Sequence, residues 1–61
     1  MGFVVNTENG YLVDLENGIF CNDVDCAVVF PNNLDKVGRR SIYDKLIGGK
    51  EVNRYWYEDK E

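Results

Sequence analysis

Carboxylates in the first half of the chain are the side chains with the clearest capacity to act on another molecule. Residues 1–35 contain six acidic residues and no Lys or Arg, whereas residues 36–61 contain seven basic and five acidic residues. The candidate acidic surface consists of Asp14, Glu16, Asp23 and Asp25. An uneven charge of this kind indicates a partner of opposite charge. We therefore expect these residues to bind a basic surface on another protein.

The aromatic run near the C-terminus is a second candidate contact surface. It consists of Arg54, Tyr55, Trp56 and Tyr57. Tyr, Trp and Arg are the residues most enriched at the energetic centres of protein interfaces. A strand at the edge of a sheet can also pair with another copy of the same chain, so a homodimer is a further expectation. The structural alternative is that Trp56 belongs to the core and its tyrosine neighbours are half-exposed.

Binding of single-stranded nucleic acid is the alternative function. Arg39 and Arg40 add to Arg54 and the neighbouring aromatics, and arginines beside aromatic rings can contact phosphates and stack on bases. The net charge of −4 opposes this function, because neutralisation of phosphates dominates affinity for nucleic acids. The charge therefore favours a protein partner and disfavours nucleic acid.

Metal and cofactor sites are not expected. The segment 14–18 resembles an acidic calcium loop, but its glycine comes one residue too early for that motif. Zinc is disfavoured because the chain contains no histidine and only one cysteine pair, Cys21 and Cys26, which cannot complete a tetrahedral site alone. We therefore predict no metal and no cofactor.

Catalysis is also not expected. Ser41 and Lys45 are four residues apart, as a Ser–Lys dyad on one helix face would require. A serine at the start of a helix, however, more often caps backbone N–H groups. Without histidine, acid–base chemistry would need buried carboxylates with raised pKa values, and we expect the carboxylates of this sequence to be solvated. We predict that the protein is not an enzyme.

The apolar runs and the N-terminus predict the location of the protein, and the location predicts the state of the cysteines. No apolar run approaches the roughly 20 residues of a transmembrane helix, and the first residues lack the features of a signal peptide. A cytoplasmic location, with no role at a membrane, is therefore expected. In that compartment Cys21 and Cys26 should remain reduced and act as small buried hydrophobes. A disulfide would require a tight turn over residues 22–25.

Two Asn-Gly pairs organise the N-terminal half. Asn-Gly between alternating apolar and polar residues is a strong hairpin signal, because glycine adopts positive φ without steric cost and asparagine tolerates it. Turns at Asn9-Gly10 and Asn17-Gly18 predict a three-stranded meander with strands at 3–8, 11–16 and 19–23.

Two-residue turns would also set the register of this meander and hence its faces. The predicted core face is Val4, Tyr11, Val13, Leu15, Phe20 and Val24. The other face, wetter and acidic, is Phe3, Val5, Leu12, Ile19 and Cys21, interleaved with Asp14, Glu16 and Asp23. Because a slip of one residue exchanges the faces, the buried face stays open at this point.

The remaining segments complete an α+β domain over residues 1–57. The apolar run 26–30 predicts a buried strand that ends before Pro31. Residues 33–47 predict a helix capped by Asn32-Asn33, interrupted at Gly38 and restarted at Ser41. Residues 51–57 predict a last strand, and residues 58–61 a charged C-terminal tail. This small antiparallel sheet with a helix on one face leaves little interior for chemistry. We therefore expect a small acidic protein-binding module, an inhibitor or regulatory adaptor of a larger protein.

Overall fold

The computed structural model describes residues 2–60 and contains a small antiparallel sheet with one helix packed on it, which confirms the predicted α+β class. The strands are β1 (Gly2–Thr7), β2 (Gly10–Asp14), β3 (Ile19–Cys21), β4 (Phe30–Pro31) and β5 (Tyr55–Lys60). A short 3₁₀ turn, Val24–Cys26, precedes β4. The helix α1 (Lys36–Tyr43) continues into a π-helical turn, Asp44–Gly48.

Strand β1 is the centre of the sheet. It pairs along its whole length with β5 on one side, and on the other side with β2 near its end and β4 near its start. β3 lies outside β2, so the first three strands form the predicted meander. All these pairings are antiparallel.

The first hairpin turns one residue earlier than predicted. Thr7 lies opposite Gly10, so the turn residues are Glu8 and Asn9 and not the predicted Asn9-Gly10 pair. The Thr7 hydroxyl fixes this turn, since it donates to the Gly10 carbonyl at 2.9 Å and accepts from the Asn9 N–H at 3.0 Å. Gly10, at φ 116°, lies within β2, where a Cβ would come within 2.5 Å of the Cys21 carbonyl oxygen. Its glycine therefore permits the close approach of β3.

The second hairpin has a four-residue turn, not the predicted two-residue turn at Asn17-Gly18. Asp14 lies opposite Ile19, and the register shifts between Leu12 and Asp14 at a bulge. The Asp14 carboxylate accepts hydrogen bonds from the N–H of Glu16 at 3.0 Å and from the side-chain amide of Asn17 at 2.6 Å. Short polar side chains of this kind bend the chain locally, and here they lengthen the turn.

The helix covers the face that was predicted to be wetter and acidic, and not the predicted core face. The core beneath the helix is formed by Phe3, Val5, Leu12, Ile42, Leu46 and Val52. Val13 and Tyr11, from the predicted core face, are only half-buried. Phe20 does pack against the core, because it lies opposite Leu12 and not opposite Leu15 as predicted. The offset of an odd number of residues in this hairpin turns Phe20 to the helix side.

The opposite side of the sheet, which we call the second face, also carries buried residues. Alternation along β1 places Val4 and Asn6 there, and Val4 has no exposed surface. Asp25 of the 3₁₀ turn reaches this face, since its carboxylate lies 3.4 Å from the Lys60 ammonium. The 3₁₀ turn therefore lies at the second face, whereas Val28 and Phe30 after it pack against the core on the helix side.

The predicted strand at 26–30 is wrong in its bounds. Residues 24–26 form a 3₁₀ turn, and the strand β4 contains only Phe30 and Pro31. Asp23 caps that turn by accepting the Asp25 N–H at 3.0 Å. The tight turn brings Cys21 and Cys26 together in a disulfide bond. The predicted pair of buried thiols is therefore wrong.

The helix begins later than predicted and is not interrupted at Gly38. Asp35, not Asn32-Asn33, caps it by accepting the Gly38 N–H at 2.9 Å. A side chain at position 38 would clash with the side chain of Leu34. Glycine at this position therefore allows Leu34 to pack closely against the helix. Ser41 lies within α1 and starts no second helix. The irregularity instead falls at the π-helical turn near the C-terminal end.

The last strand is shifted toward the C-terminus. β5 covers Tyr55–Lys60, whereas the prediction was 51–57. Residues 58–60, predicted as a frayed tail, pair with β1, and Glu61 lies outside the described residues. Trp56 is 46% exposed on the second face, so its assignment to the core is wrong. Of the helices between residues 2 and 60, none is long and apolar enough to cross a membrane.

Candidate functional site

A row of side chains crosses the second face of the sheet. Register places Cys21 opposite Tyr11, Tyr11 opposite Asn6, and Asn6 opposite Trp56, so four strands contribute one residue each. Glu58 follows Trp56 by two residues on β5 and therefore lies on the same face. We call the group Asn6, Tyr11, Trp56 and Glu58 the Glu58 cluster.

The carboxylate of Glu58 joins the members of this cluster. Its Oε2 accepts hydrogen bonds from Asn6 Nδ2 at 2.8 Å and from Trp56 Nε1 at 2.9 Å, and its Oε1 accepts the Tyr11 hydroxyl at 3.1 Å. Three donors stabilise the charged form of the carboxyl group. The bonds from Asn6, Trp56 and Tyr11 accordingly lower the pKa of Glu58.

Trp56 presents an exposed apolar ring whose polar atom is already bonded inside the protein. Its N–H is bound to Glu58, and 46% of the residue remains accessible. The orientation of the indole is thereby restrained before any partner arrives. Because ordering a side chain on binding costs free energy, a restrained aromatic residue is a favourable anchor.

The four predicted acidic residues divide between two turns. Asp14 and Glu16 lie at the β2–β3 turn, where Asp14 binds turn donors and Glu16 Oε2 lies 3.3 Å from the Lys45 ammonium. The hydrogen bond from Asn17 is the main reason that the pKa of Asp14 is lowered. This pair therefore lies toward the helix side.

Asp23 and Asp25 follow the other end of β3 and lie near the Glu58 cluster. The charge of Asp23 helps to raise the pKa of Tyr11, although the hydrogen bond to Glu58 is the larger cause. Asp25 is exposed and pairs with Lys60. Asp23 thus follows Cys21 at the end of the row, and Asp25 pairs with Lys60 on the same face of the sheet.

The predicted aromatic run is divided between the two faces of the sheet. Alternation places Trp56 on the second face, and Tyr55 and Tyr57 on the helix side. Tyr55 and Tyr57 form an edge-to-face pair with ring centroids 5.6 Å apart, and burial is the main reason that the pKa of Tyr55 is raised to about 12. Arg54 precedes β5, where its backbone N–H donates to the Glu8 carboxylate at 3.2 Å.

The two helix arginines lie over aromatic rings on the helix side. The Arg39 guanidinium carbon is 5.7 Å from the centroid of Tyr57, and that of Arg40 is 5.7 Å from the centroid of Tyr43. Of the residues predicted to bind single-stranded nucleic acid, the structure therefore brings Arg39 and Tyr57 together, whereas Trp56 lies on the opposite face of the sheet. Arg40 also pairs with Asp44 at 3.0 Å.

Sequence reasoning did not identify Glu58, which it placed in the tail, nor Asn6 and Tyr11 as its partners. The alternation of Trp56 and Glu58 along one strand was the available signal. Within residues 2–60 no group of three His, Cys, Asp or Glu side chains is arranged to hold a metal ion. No family model, no characterised protein and no solved structure matches this chain.

Proposed function

We propose that this protein is a binding module that docks on a larger protein, as an inhibitor or regulatory adaptor, through the second face of its sheet. The single observation that carries the proposal is Trp56, exposed and yet held by Glu58. Tryptophan is the residue most typical of interface hot spots. The partner would provide an apolar pocket for the indole.

The charge around Trp56 supports a basic rim on that partner. Asp23 and Asp25 border the same face, and both are exposed. Complementary charge at the rim raises the rate of association and selects among partners more than it adds affinity. The proposal thus retains two of the four predicted acids as contacts and assigns Asp14 and Glu16 to the turn.

The experiment begins with affinity purification of the partner and continues with the two purified proteins. Trp56 is the only tryptophan of the chain, so its fluorescence reports contact at this site directly. Trp56→Ala should weaken binding by roughly 30-fold or more, as truncation of a hot spot does. Tyr43→Ala is the matched control, because Tyr43 is similarly exposed but lies on the helix.

The rim is tested separately by Asp25→Asn, which should slow association at low salt and leave dissociation nearly unchanged. Full affinity in the Trp56→Ala variant, with the tryptophan spectrum of the wild type unaltered by the partner, would contradict the proposal.

Single-stranded nucleic acid is a second candidate because Arg39 lies over Tyr57 and Arg40 over Tyr43 on the helix side. A base could stack in such a place. A mobility-shift assay at low salt with mixed RNA and DNA should show a complex that Arg39→Gln weakens and Trp56→Phe does not. The absence of any shift would exclude this candidate.

The proposal includes a cytoplasmic location, and the disulfide between Cys21 and Cys26 argues against that location. Disulfides persist mainly in oxidising compartments, because cytosolic reductants keep thiols free. Trapping the thiols of Cys21 and Cys26 in intact cells before lysis decides between the two. Labelled thiols would support the cytoplasm, and an unlabelled pair an oxidising compartment.

A further inference from the structure

The outer edge of β5 is a long strand edge whose first half lacks the charged side chains that prevent pairing. Among the described strands β5 pairs only with β1, and it is six residues long. The opposite edge strand, β3, has three residues. Short strands and charged side chains protect sheet edges, but residues 55–57 of β5 are all aromatic. This edge is therefore open to another strand.

We propose that β5 pairs with β5 of a second copy of this chain, antiparallel and in a register centred on Trp56. A two-fold axis perpendicular to the sheet makes such an interface self-complementary and keeps each side chain on its own face. It would join the two sheets into one. The charges along β5 support a second copy of this chain as the source of the pairing strand.

Three two-fold registers can be centred within the middle of β5, and charge distinguishes them. Centred on Trp56, the pairing places Arg54 opposite Glu58 of the second copy and Tyr55 opposite Tyr57. Centred on Tyr57, it places Arg54 opposite Lys60, and centred on Glu58 it places two glutamates in contact. Opposite charges and aromatic pairs across strands are stabilising, and like charges are destabilising.

Glu58 retains capacity for this additional partner. A carboxylate offers about four acceptor positions, and Asn6, Trp56 and Tyr11 occupy three of them. Alternation places Trp56 and Glu58 on the same face of β5, and extension of the strand by one residue in the dimer would place Arg54 on that face as well. Arg54 of one copy can therefore reach Glu58 of the other without breaking the Glu58 cluster, and the two Trp56 rings would lie side by side.

Sedimentation equilibrium of the full chain over a range of concentrations tests the pairing. We expect a monomer–dimer equilibrium that Arg54→Gln weakens roughly fivefold, because symmetry removes the charge pair twice. Arg54→Lys should restore most of the association. Lys36→Gln makes the same change of charge at an exposed position on the helix and should leave the equilibrium unaltered.

The register is tested by cross-linking of two single-cysteine additions, with native Cys21 and Cys26 already paired. Directly opposed residues have Cα atoms about 4.5–5.5 Å apart, within reach of a disulfide. A mixture of Tyr55→Cys and Tyr57→Cys proteins should form mixed dimers, and neither variant should cross-link alone.

Three results would overturn the inference. The first is a protein that stays monomeric at about 1 mM, where even weak complexes assemble. The second is a dimer whose dissociation constant does not change in Arg54→Gln. The third is cross-linking of the Tyr57→Cys protein with itself. Because these readouts need no other protein, they are independent of the partner binding proposed above.

Discussion

The indole N–H of Trp56 donates a hydrogen bond of 2.9 Å to Glu58, two residues further along the same strand. This bond connects the most exposed aromatic of β5 to a carboxylate that also binds Asn6 on β1 and Tyr11 on β2. A surface that could contact a partner is thereby linked to the pairing of three strands.

Acid should weaken the fold through Glu58. Its pKa is lower in the folded protein than in the unfolded chain, so the stability it contributes is present above the unfolded pKa and is lost as the pH falls through the folded pKa. Glu58→Gln should lower the melting temperature at neutral pH, and the difference from wild type should shrink in acid. Melting curves from pH about 7 to about 2 measure this.

The control for Glu58 is Asp59→Asn, which removes a carboxylate from an exposed position of the same strand. Exposed substitutions usually change stability by less than about 0.5 kcal/mol. An equal effect of Asp59→Asn and Glu58→Gln at neutral pH would show that the three hydrogen bonds contribute nothing.

Alkali should weaken the fold through Tyr55. Burial is the main cause that raises its pKa to about 12, whereas an unfolded tyrosine titrates near pH 10. The folded state therefore retains the proton longer, and stability falls as the pH rises from about 10 toward about 12. Ultraviolet titration should show a late-ionising tyrosine that is absent from Tyr55→Phe. Ionisation of all four tyrosines together at ordinary pH would contradict the burial of Tyr55 in a fold that remains intact.

Leu12 and Val13 test which face is buried. Leu12 has no exposed surface and belongs to the core, whereas Val13 is half-buried. Leu12→Ala should cost about 2–5 kcal/mol, which is comparable with the whole stability of so small a scaffold. Val13→Ala should cost about 1 kcal/mol or less. Urea denaturation of both variants gives the comparison, and the reverse order would restore the core face that the sequence predicted.

The disulfide should add measurable stability. Cys21 and Cys26 are separated by five positions in the sequence. A disulfide that closes so short a loop lowers the entropy of the unfolded chain and raises the free energy of unfolding by about 2 kcal/mol. Reduction should therefore lower the melting temperature of the wild type. The double variant Cys21→Ser, Cys26→Ser should melt at this lower temperature and ignore the reductant. Equal melting of reduced and oxidised wild type would show that the bond contributes no stability.

Two glycines provide a matched test of the backbone. Gly10 has φ 116° and no room for a Cβ, because the Cys21 carbonyl oxygen lies 2.5 Å from where it would be. Gly10→Ala should therefore cost more than about 1 kcal/mol. Gly48, near the end of the helix, has no heavy atom within 4 Å of such a Cβ. Gly48→Ala should be neutral or slightly stabilising in the same melting experiment. Equal effects of Gly10→Ala and Gly48→Ala would mean that the Cys21 carbonyl oxygen leaves room for a side chain at position 10.

The errors of sequence reasoning have a common physical origin in turn chemistry. Asn-Gly signals located both hairpins, but the side chains of Thr7 and Asp14 selected the turn residues and their number. Neither hydrogen bond is encoded in the alternation of apolar and polar residues. The bulge before Asp14 then turned Phe20 and Cys21 to the faces opposite to those predicted. In β1 and β2 the predicted grouping of side chains holds, and the core is reversed because the helix packs on the face of Phe3, Val5 and Leu12.

The candidate site was predictable only in part. Trp56 was selected from its type, and Asp23 and Asp25 from their charge, but the sequence did not indicate that these three border the same face. Glu58 was assigned to a tail because nothing near it in the sequence indicates its hydrogen-bond partners. Those partners, Asn6 and Tyr11, are about 50 residues away along the chain. Contacts of that separation follow from strand pairing and not from local pattern.

By itself, the sequence determined the antiparallel meander, the α+β class and the uneven charge, because alternation, glycine-containing turns and composition are local properties. Only the tertiary structure decided which face the helix covers and which side chains meet on the other. The physical reason is that both faces of the meander are partly apolar, so only the packing of the helix against Phe3, Val5 and Leu12 selects the buried one. Pairing of β5 with β1 then brought Glu58 to Asn6 and Tyr11, and the bond from Trp56 to the same carboxylate made the exposed indole a fixed feature of the surface.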